Sequence, residues 1–210
     1  MKYKRLCEPH AGEPVISTGN IKLGRVANLS LTPCASCPKD APCKDGCYAR
    51  KAMRMYPSAR LTWGRNLEAA RRPAQFMRAV ERQLKAAEER GKLPRFFRWH
   101  VAGDFPSFDY LRRAVKLAGK FPAVRFLAFT KRYKWAAKVA ADLTDNFEIV
   151  LSAWPGYNLH NPYGLRVAWM QDGTEDRVPE DALECPGNCE SCGMCWSLSR
   201  IGRDVVFHKH

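Results

Sequence analysis

The sequence lacks an apolar run approaching the roughly eighteen residues that a membrane-spanning helix needs. Its N-terminus, MKYKRLCEPH, also lacks the apolar stretch of a secretory signal. These two absences predict a cytoplasmic protein with no membrane partner, in a compartment that keeps thiols reduced. Clustered cysteines are then expected to bind metal or to do redox work, and a set of disulfides is the less favoured interpretation.

Acidic residues are scarce, with 21 Asp and Glu against 35 Lys and Arg, which gives a net charge of +14. The excess is concentrated in residues 50–98, which hold fourteen Lys or Arg, four Glu and no Asp. A basic face of this density attracts phosphates and is typical of nucleic-acid-binding proteins. A solvated helix face is the alternative, since no RNA-recognition, homeodomain or zinc-finger spacing is present.

The 210 residues contain neither an internal repeat nor a low-complexity linker. Apolar segments predict strands that alternate with helices, which is typical of βα units and a parallel sheet. The strands are predicted at residues 25–31, 96–103, 124–130, 147–154, 165–171 and 205–207, and the helices at 48–56, 74–90, 108–119 and 134–143. About five or six strands are too few for a closed eight-stranded barrel, so we expect an α/β fold with a partial, open βα barrel. The expected boundaries are 1–180 for this domain and 181–210 for a cysteine-rich, metal-binding extension.

Several polar or small residues follow predicted strand ends, where parallel sheets bind their ligands. Gly103 and Asp104 stand at the end of the second predicted strand, Thr130 and Lys131 at the end of the third, and Ser152 near the end of the fourth. A loop that contains four cysteines follows the first strand. We therefore expect all of these residues to share one rim of the sheet.

The nine cysteines form two groups, apart from Cys7, for which a buried thiol is expected. The first group has the spacing Cys34-x2-Cys37-x5-Cys43-x3-Cys47. Four thiolates can close a tetrahedral zinc site, whereas three can hold a [4Fe–4S] cluster and leave one iron open. Spacing alone leaves both alternatives open.

The second group, Cys185-x3-Cys189-x2-Cys192-x2-Cys195, lies in a loop rich in Gly, Pro and Asn. Four ligands so close together favour a fully coordinated site, either an auxiliary [4Fe–4S] cluster or structural zinc. We expect such a metal to hold in place a tail that has little core of its own.

The position of the first group, between a strand and a helix, resembles the radical S-adenosylmethionine (SAM) superfamily, although that superfamily's usual spacing is Cys-x3-Cys-x2-Cys. The chain is more closely similar to the small phage gene product 88 family. The similar stretches are GNIKLGRVANLSLTP, SCPKDAPCKDGCYARK, FRWHVAGDF, FLAFTKR and CPGNCESCGMCW.

The resemblance implies site residues that the spacing does not. It assigns Cys37, Cys43 and Cys47 to a SAM-binding [4Fe–4S] cluster, with Cys34 as an additional candidate ligand. Ala102-Gly103-Asp104 is similar to the Gly-Gly-Glu element that receives the ammonium group of SAM, although an ordinary turn with an Asp helix cap is the alternative. Further candidates for contact with SAM are Tyr48, His100, Thr130, Lys131 and Ser152.

Two functions follow as expectations. The resemblance implies an enzyme that cleaves SAM reductively and starts radical chemistry, acting in the host cytoplasm with a reductant such as flavodoxin or ferredoxin. The basic charge favours a nucleotide or nucleic acid as its substrate, with a peptide or small metabolite as alternatives. The second expectation is a non-catalytic nucleic-acid-binding protein that zinc or an iron–sulfur cluster stabilises.

Overall fold

The structure, a computed structural model, describes residues 4–20 and 23–208. Within these residues a single sheet has nine strands in the order β1-β2-β3-β4-β5-β6-β7-β9-β8. The strands are β1 (Lys4–Arg5), β2 (Ser17–Asn20), β3 (Gly24–Leu29), β4 (Phe96–Trp99), β5 (Arg125–Thr130), β6 (Phe147–Ser152), β7 (Val167–Gln171), β8 (Leu183–Glu184) and β9 (Val205–His208). The helices are α1 (Tyr48–Met55), α2 (Pro57–Ala70), α3 (Pro73–Glu89), α4 (Phe108–Ala118), α5 (Tyr133–Val139), α6 (Cys189–Cys192) and α7 (Leu198–Ile201).

The sheet is open and mostly parallel. Strands β3 to β7 are parallel neighbours in chain order, so each βα connection returns to the adjacent position. Strands β1 and β2 add an antiparallel edge, and β9 and β8 extend the opposite edge in parallel. The α/β class and the parallel arrangement are confirmed. The expected number of strands is wrong, because short pairings at both edges raise it to nine in the described residues.

The two faces of the sheet are covered by different parts of the chain. Alternate strand residues such as Phe97, Phe126 and Ile149 belong to the main core, which they share with α3 and α4. Residues of the other face, such as Leu127 and Val150, pack against Trp196 and Leu198 of the C-terminal segment. The tail therefore shares the core of the sheet's second face and does not form a separate core of its own.

Helix boundaries follow local chemistry. Pro57 and Pro73 stand at the first positions of α2 and α3, where a missing N–H is tolerated. Ser107 caps α4 by accepting a hydrogen bond from the backbone N–H of Tyr110 at 3.2 Å. Pro57 follows the predicted helix at 48–56 and also begins α2, a helix that the sequence pattern does not predict.

Strand β4 is shorter than predicted. It ends at Trp99, because His100 has a φ of 52° and thus leaves the extended conformation. No helix in the described ranges combines the length and apolar character needed to cross a membrane.

Candidate functional site at the carboxyl rim of the sheet

The loops that follow β3 and β4 are joined directly. The backbone N–H of Leu31 donates to the carbonyl of Ala102 at 2.9 Å, and that of His100 donates to Leu29 at 2.7 Å. Ser36 adds a side-chain connection, because its hydroxyl donates to Thr32 at 3.0 Å and accepts from the backbone N–H of Asp104 at 3.2 Å. The cysteine loop therefore lies against the segment that contains Gly103 and Asp104.

Asp104 connects this segment to the end of β5. Its buried carboxylate accepts from the Thr130 hydroxyl at 2.7 Å and from the backbone N–H groups of Lys131 at 2.8 Å and Phe105 at 2.7 Å. Burial raises the pKa of Asp104, and these three donors oppose the rise. The carboxylate therefore fixes the turn after β4 to the end of β5.

Gly103 is required by close packing within the rim. A Cβ atom there would stand 2.4 Å from the Ser36 hydroxyl and 2.9 Å from the Leu31 carbonyl, and the residue has a φ of 84°. Any L side chain would be strained in this conformation and would clash. Glycine thus allows the cysteine loop to approach the turn after β4.

Lys131 and Ser152 lie at the ends of neighbouring strands. The ammonium group of Lys131 donates to the Ser152 hydroxyl at 2.8 Å and lies 5.2 Å from the centre of the Trp154 ring. The Tyr133 hydroxyl donates to the carbonyl of Ser152 at 2.6 Å. A cation, a hydroxyl group and an indole face therefore stand together at the ends of β5 and β6.

The four N-terminal thiols lie near one another. Burial raises the pKa of Cys34, the neighbouring Cys47 adds to the rise, and Arg50 opposes it. Burial also raises the pKa of Cys37 to about 11, and Asp104 and Cys43 lie close enough to repel its thiolate. This loop thus presents weakly acidic, partly buried thiols beside the rim.

Cys34 has an unusual backbone, with a φ of 65° in a region that few residues other than glycine adopt. Strain of this kind persists only where surrounding structure holds it in place. Cys34 thus belongs to the tightly constrained part of the loop, together with Ser36.

Tyr48 begins α1 immediately after Cys47. Its ring is exposed, but its hydroxyl group donates to the carbonyl of Val101, which fixes the ring beside the rim. Burial of that hydroxyl raises the pKa of Tyr48, and Arg98 opposes the rise. Tyr48 thus stands between the cysteine loop and the turn after β4.

The C-terminal thiols lie on the second face of the sheet. Burial raises the pKa of Cys195 to about 12 and also raises the pKa of Cys189, while the guanidinium of Arg98 opposes both rises. Arg98 belongs to β4, and its guanidinium lies 4.7 Å from the centre of the Phe129 ring. Its Nε atom is buried and has no hydrogen-bond partner in the described chain.

The donor chemistry of both groups suits a thiophilic metal, because each offers four cysteine sulfurs within one short segment. The side chains do not converge, however. Across residues 4–20 and 23–208 no three Cys, His, Asp or Glu side chains form an arrangement that could hold a metal ion. Each cysteine group therefore matches a thiophilic metal in the type of its ligands and in their closeness along the chain, but not in the arrangement of the side chains.

His100 lies away from these thiols. Its ring packs against Phe105 at 4.7 Å and Tyr110 at 5.5 Å between centroids, on the face that Trp99 also occupies. Alternation along a regular strand would put His100 and Trp99 on opposite faces, but the left-handed backbone at His100 breaks the alternation. Burial lowers the pKa of His100 to about 3.

The structure brings together most of the predicted site residues and adds others. The predicted residues that share the rim are Cys34, Cys37, Cys43, Cys47, Gly103, Asp104, Thr130, Lys131 and Ser152. The C-terminal segment contains the others, Cys185, Cys189, Cys192 and Cys195. Cys7 is buried, as predicted, and donates to the carbonyl of Gln83 at 3.2 Å.

Sequence reasoning missed Arg98, Ser36 and the Asp40–Tyr157 hydrogen bond of 3.2 Å, which joins the cysteine loop to the segment after β6. An arginine within an otherwise apolar strand was the available signal for Arg98. The other two depend on contacts between distant loops.

No curated protein and no solved structure matches the chain. The sequence model of the Gene product 88 family matches residues 9–198, which include β3 to β7, the rim and both cysteine groups. The chain therefore belongs to the Gene product 88 family.

Proposed function

We propose that the chain is a radical SAM enzyme in which Cys37, Cys43 and Cys47 hold a [4Fe–4S] cluster that leaves one iron open for SAM. When bound, the cluster supplies the electron for reductive cleavage of SAM, which starts radical chemistry on the substrate. The favoured substrate is a nucleotide or nucleic acid. The reductant is a small electron carrier such as flavodoxin or ferredoxin, and the site of action is the host cytoplasm.

The observation that carries the proposal is the position of the four N-terminal thiols. They follow β3, the first strand of the parallel series, in the loop whose Ser36 accepts a hydrogen bond from Asp104, and Cys37 lies close to the Asp104 carboxylate. Ligands of open parallel sheets bind at this edge. In a purely structural zinc site, the four sulfurs would need no such position.

Rim residues offer complementary groups for the parts of SAM. The carboxylate of Asp104 complements the charge of an ammonium group, and Lys131 complements a carboxylate. The hydroxyl of Ser152 suits a ribose hydroxyl, and Trp154 provides a ring face beside it. Thr130 keeps Asp104 in place rather than reaching outward, because its hydroxyl donates to that carboxylate. Burial of His100 in the aromatic core argues against contact with SAM.

We assign Cys185, Cys189, Cys192 and Cys195 to an auxiliary [4Fe–4S] cluster, with structural zinc as the alternative. The support is the ligand type and the guanidinium of Arg98 beside Cys189. A centre with four thiolates carries net negative charge, which this cation would offset.

The test is anaerobic reconstitution with iron and sulfide, followed by SAM and dithionite and measurement of 5′-deoxyadenosine. Cys37→Ala, Cys43→Ala and Cys47→Ala should each abolish the product. Cys192→Ala should retain the SAM-binding cluster. Cys7→Ala is the matched control, since Cys7 contacts Gln83 and Arg90 rather than either cysteine group.

Metal content separates the outcomes. About eight irons per chain support two clusters, and about four irons with one zinc support the mixed alternative. A folded, fully iron-loaded protein that forms no 5′-deoxyadenosine would contradict the proposal. That result would favour a non-catalytic, metal-stabilised nucleic-acid-binding protein, which the basic surface of α1 and α2 supports.

A further inference from the structure

Helices α1 and α2 form a hairpin whose inner side is already packed. Ala49, Ala59 and Trp63 are buried with Ala102 of the rim in a small apolar cluster. The hairpin is therefore attached to the site through its inner face. Residues on its outer side are not needed for this packing.

The outer side exposes large apolar groups. Among the described residues, six large hydrophobic side chains are exposed, and four of them belong to this hairpin. They are Tyr48 at 66%, Met55 at 58%, Tyr56 at 53% and Leu61 at 71% exposure. Such a concentration marks an interaction site rather than scattered surface apolar residues.

The same surface also carries several cations. Residues 48–67 contain five Lys or Arg and no Asp or Glu. Arg65 is used internally, because its guanidinium donates to the carbonyls of Glu13 at 2.8 Å and His10 at 2.7 Å. In the described ranges the other four, Arg50, Lys51, Arg54 and Arg60, form no ion pair with a carboxylate.

This distribution differs from that of other basic residues. Arg112 and Arg113 of α4 both pair with Asp109 at 2.7 Å, and Lys120 pairs with Glu81 at 2.7 Å. The hairpin cations therefore leave a positive field for a partner that carries negative charge.

A pocket of about 190 Å³ lies between Arg50, Met53, Arg54 and Arg60. Small-molecule sites usually occupy about 300–1,000 Å³, so this pocket suits one group of a longer molecule. Arginine recognises phosphates through paired hydrogen bonds and stacks on planar rings. The exposed lining of the pocket is mostly apolar, which suits a base, and the arginines around it suit the phosphates on either side.

We propose that the outer surface of α1 and α2, formed by Tyr48, Arg50, Arg54, Met55, Tyr56, Arg60 and Leu61, binds a single strand of nucleic acid and leads it to the cysteine loop. The tyrosine and apolar side chains require exposed base faces, which a duplex keeps stacked inside. Tyr48 directly follows Cys47, and Arg50 lies near Cys34, so the surface is continuous with the site. As a route for substrate the inference rests on the proposed function, whereas binding itself does not.

The test uses the full chain and fluorescence anisotropy with labelled single-stranded RNA, single-stranded DNA and a duplex of the same sequence. We expect both single strands to bind more tightly than the duplex. A triple variant that combines Arg50→Glu, Arg54→Glu and Arg60→Glu should weaken binding about a hundredfold. If each arginine contacts one phosphate, the slope of log affinity against log salt should fall by about two.

The matched control reverses the same number of exposed charges on other helices, through Lys116→Glu, Lys134→Glu and Lys138→Glu. It should weaken binding far less. Tyr56→Ala preserves all charges and should weaken binding about tenfold. This variant tests the same surface if the triple arginine variant does not fold. Circular dichroism checks folding of each variant.

Equal losses from both triple variants would overturn the proposal, because they would show attraction to net charge alone. Duplex binding as tight as that of single strands would overturn it, as would equal displacement of RNA by poly-glutamate. Cys37→Ala should bind normally while forming no 5′-deoxyadenosine, so failure of binding and failure of the proposed catalysis are distinguishable.

Discussion

Replacement of Trp196 by alanine tests whether the C-terminal segment packs without a metal. The side chain is only 1% exposed, and its ring centre lies 4.8 Å from that of Phe96. Its indole N–H donates to the carbonyl of Phe97 at 3.1 Å. Truncation of a buried tryptophan costs about 3–5 kcal/mol of unfolding free energy. Since a domain of this size loses about 2–4 °C per kcal/mol, the melting temperature should fall by about 6–20 °C.

Trp196→Phe separates packing from hydrogen bonding, because it keeps most of the ring but leaves the Phe97 carbonyl without its donor. It should cost about 1–3 kcal/mol. The assay is urea unfolding of reduced, metal-depleted protein, with Leu61→Ala as the control because Leu61 is highly exposed. A metal-depleted Trp196→Ala protein with the wild-type midpoint would refute the reasoning and would show that a metal, rather than the sheet, holds this segment.

Three other predictions concern the rim and the core beneath it. Burial lowers the pKa of His100 to about 3 from an ordinary value of about 6.5, so stability that is present above pH 6.5 falls as the pH drops towards 3. At pH 5 the wild-type protein should lose about 2 kcal/mol of unfolding free energy relative to His100→Asn, a variant that tolerates the positive φ. Urea unfolding measures the difference between the two proteins, and the same difference at pH 7 and pH 5 would contradict this. Asp104→Ala leaves two backbone N–H groups without an acceptor and should cost about 2–6 kcal/mol. Thr130→Ser keeps the hydroxyl that donates to Asp104 and accepts from Arg132, and it should cost about 1 kcal/mol for the lost methyl group. Similar losses in the two variants would show that Asp104 does not connect the loops. Gly103→Ala should destabilise the protein more than Gly156→Ala. Both glycines have a positive φ, but of the two only Gly103 has atoms within 4 Å of an added Cβ. Equal urea midpoints for the two variants would rule out a clash at Gly103.

Local sequence patterns predicted the central part of the fold well. Helices α3 and α4 carry apolar residues at helical spacing, and strands β5 and β6 are apolar runs between such helices. Alternation of strands and helices then implied parallel pairing and a common rim. These features depend on neighbours in sequence, which is why the cysteine loop, Asp104 and Lys131 could be placed at the same edge.

Features that depend on single backbone angles or distant contacts could not be predicted. The alternation FFRWHVAG suggested a strand to Gly103, but one left-handed residue, His100, ends it early and turns its own ring into the core. The segment that carries Trp196 has no regular period. Its position is set by contacts with β4 and by Arg125, whose guanidinium donates to the Trp196 carbonyl at 2.6 Å.

Arg98 shows why the two cysteine groups belong to one electrostatic system. Its guanidinium influences the Tyr48 hydroxyl beside the first group and both Cys189 and Cys195 of the second. The side chain of Arg98 is partly buried, and its Nε atom is buried without a hydrogen-bond partner in the described chain. Four thiolates around a zinc ion or an iron–sulfur cluster would supply net negative charge where neutral thiols supply none. Under the proposed function, the Arg98 guanidinium would therefore offset part of the negative charge of a centre at the C-terminal group.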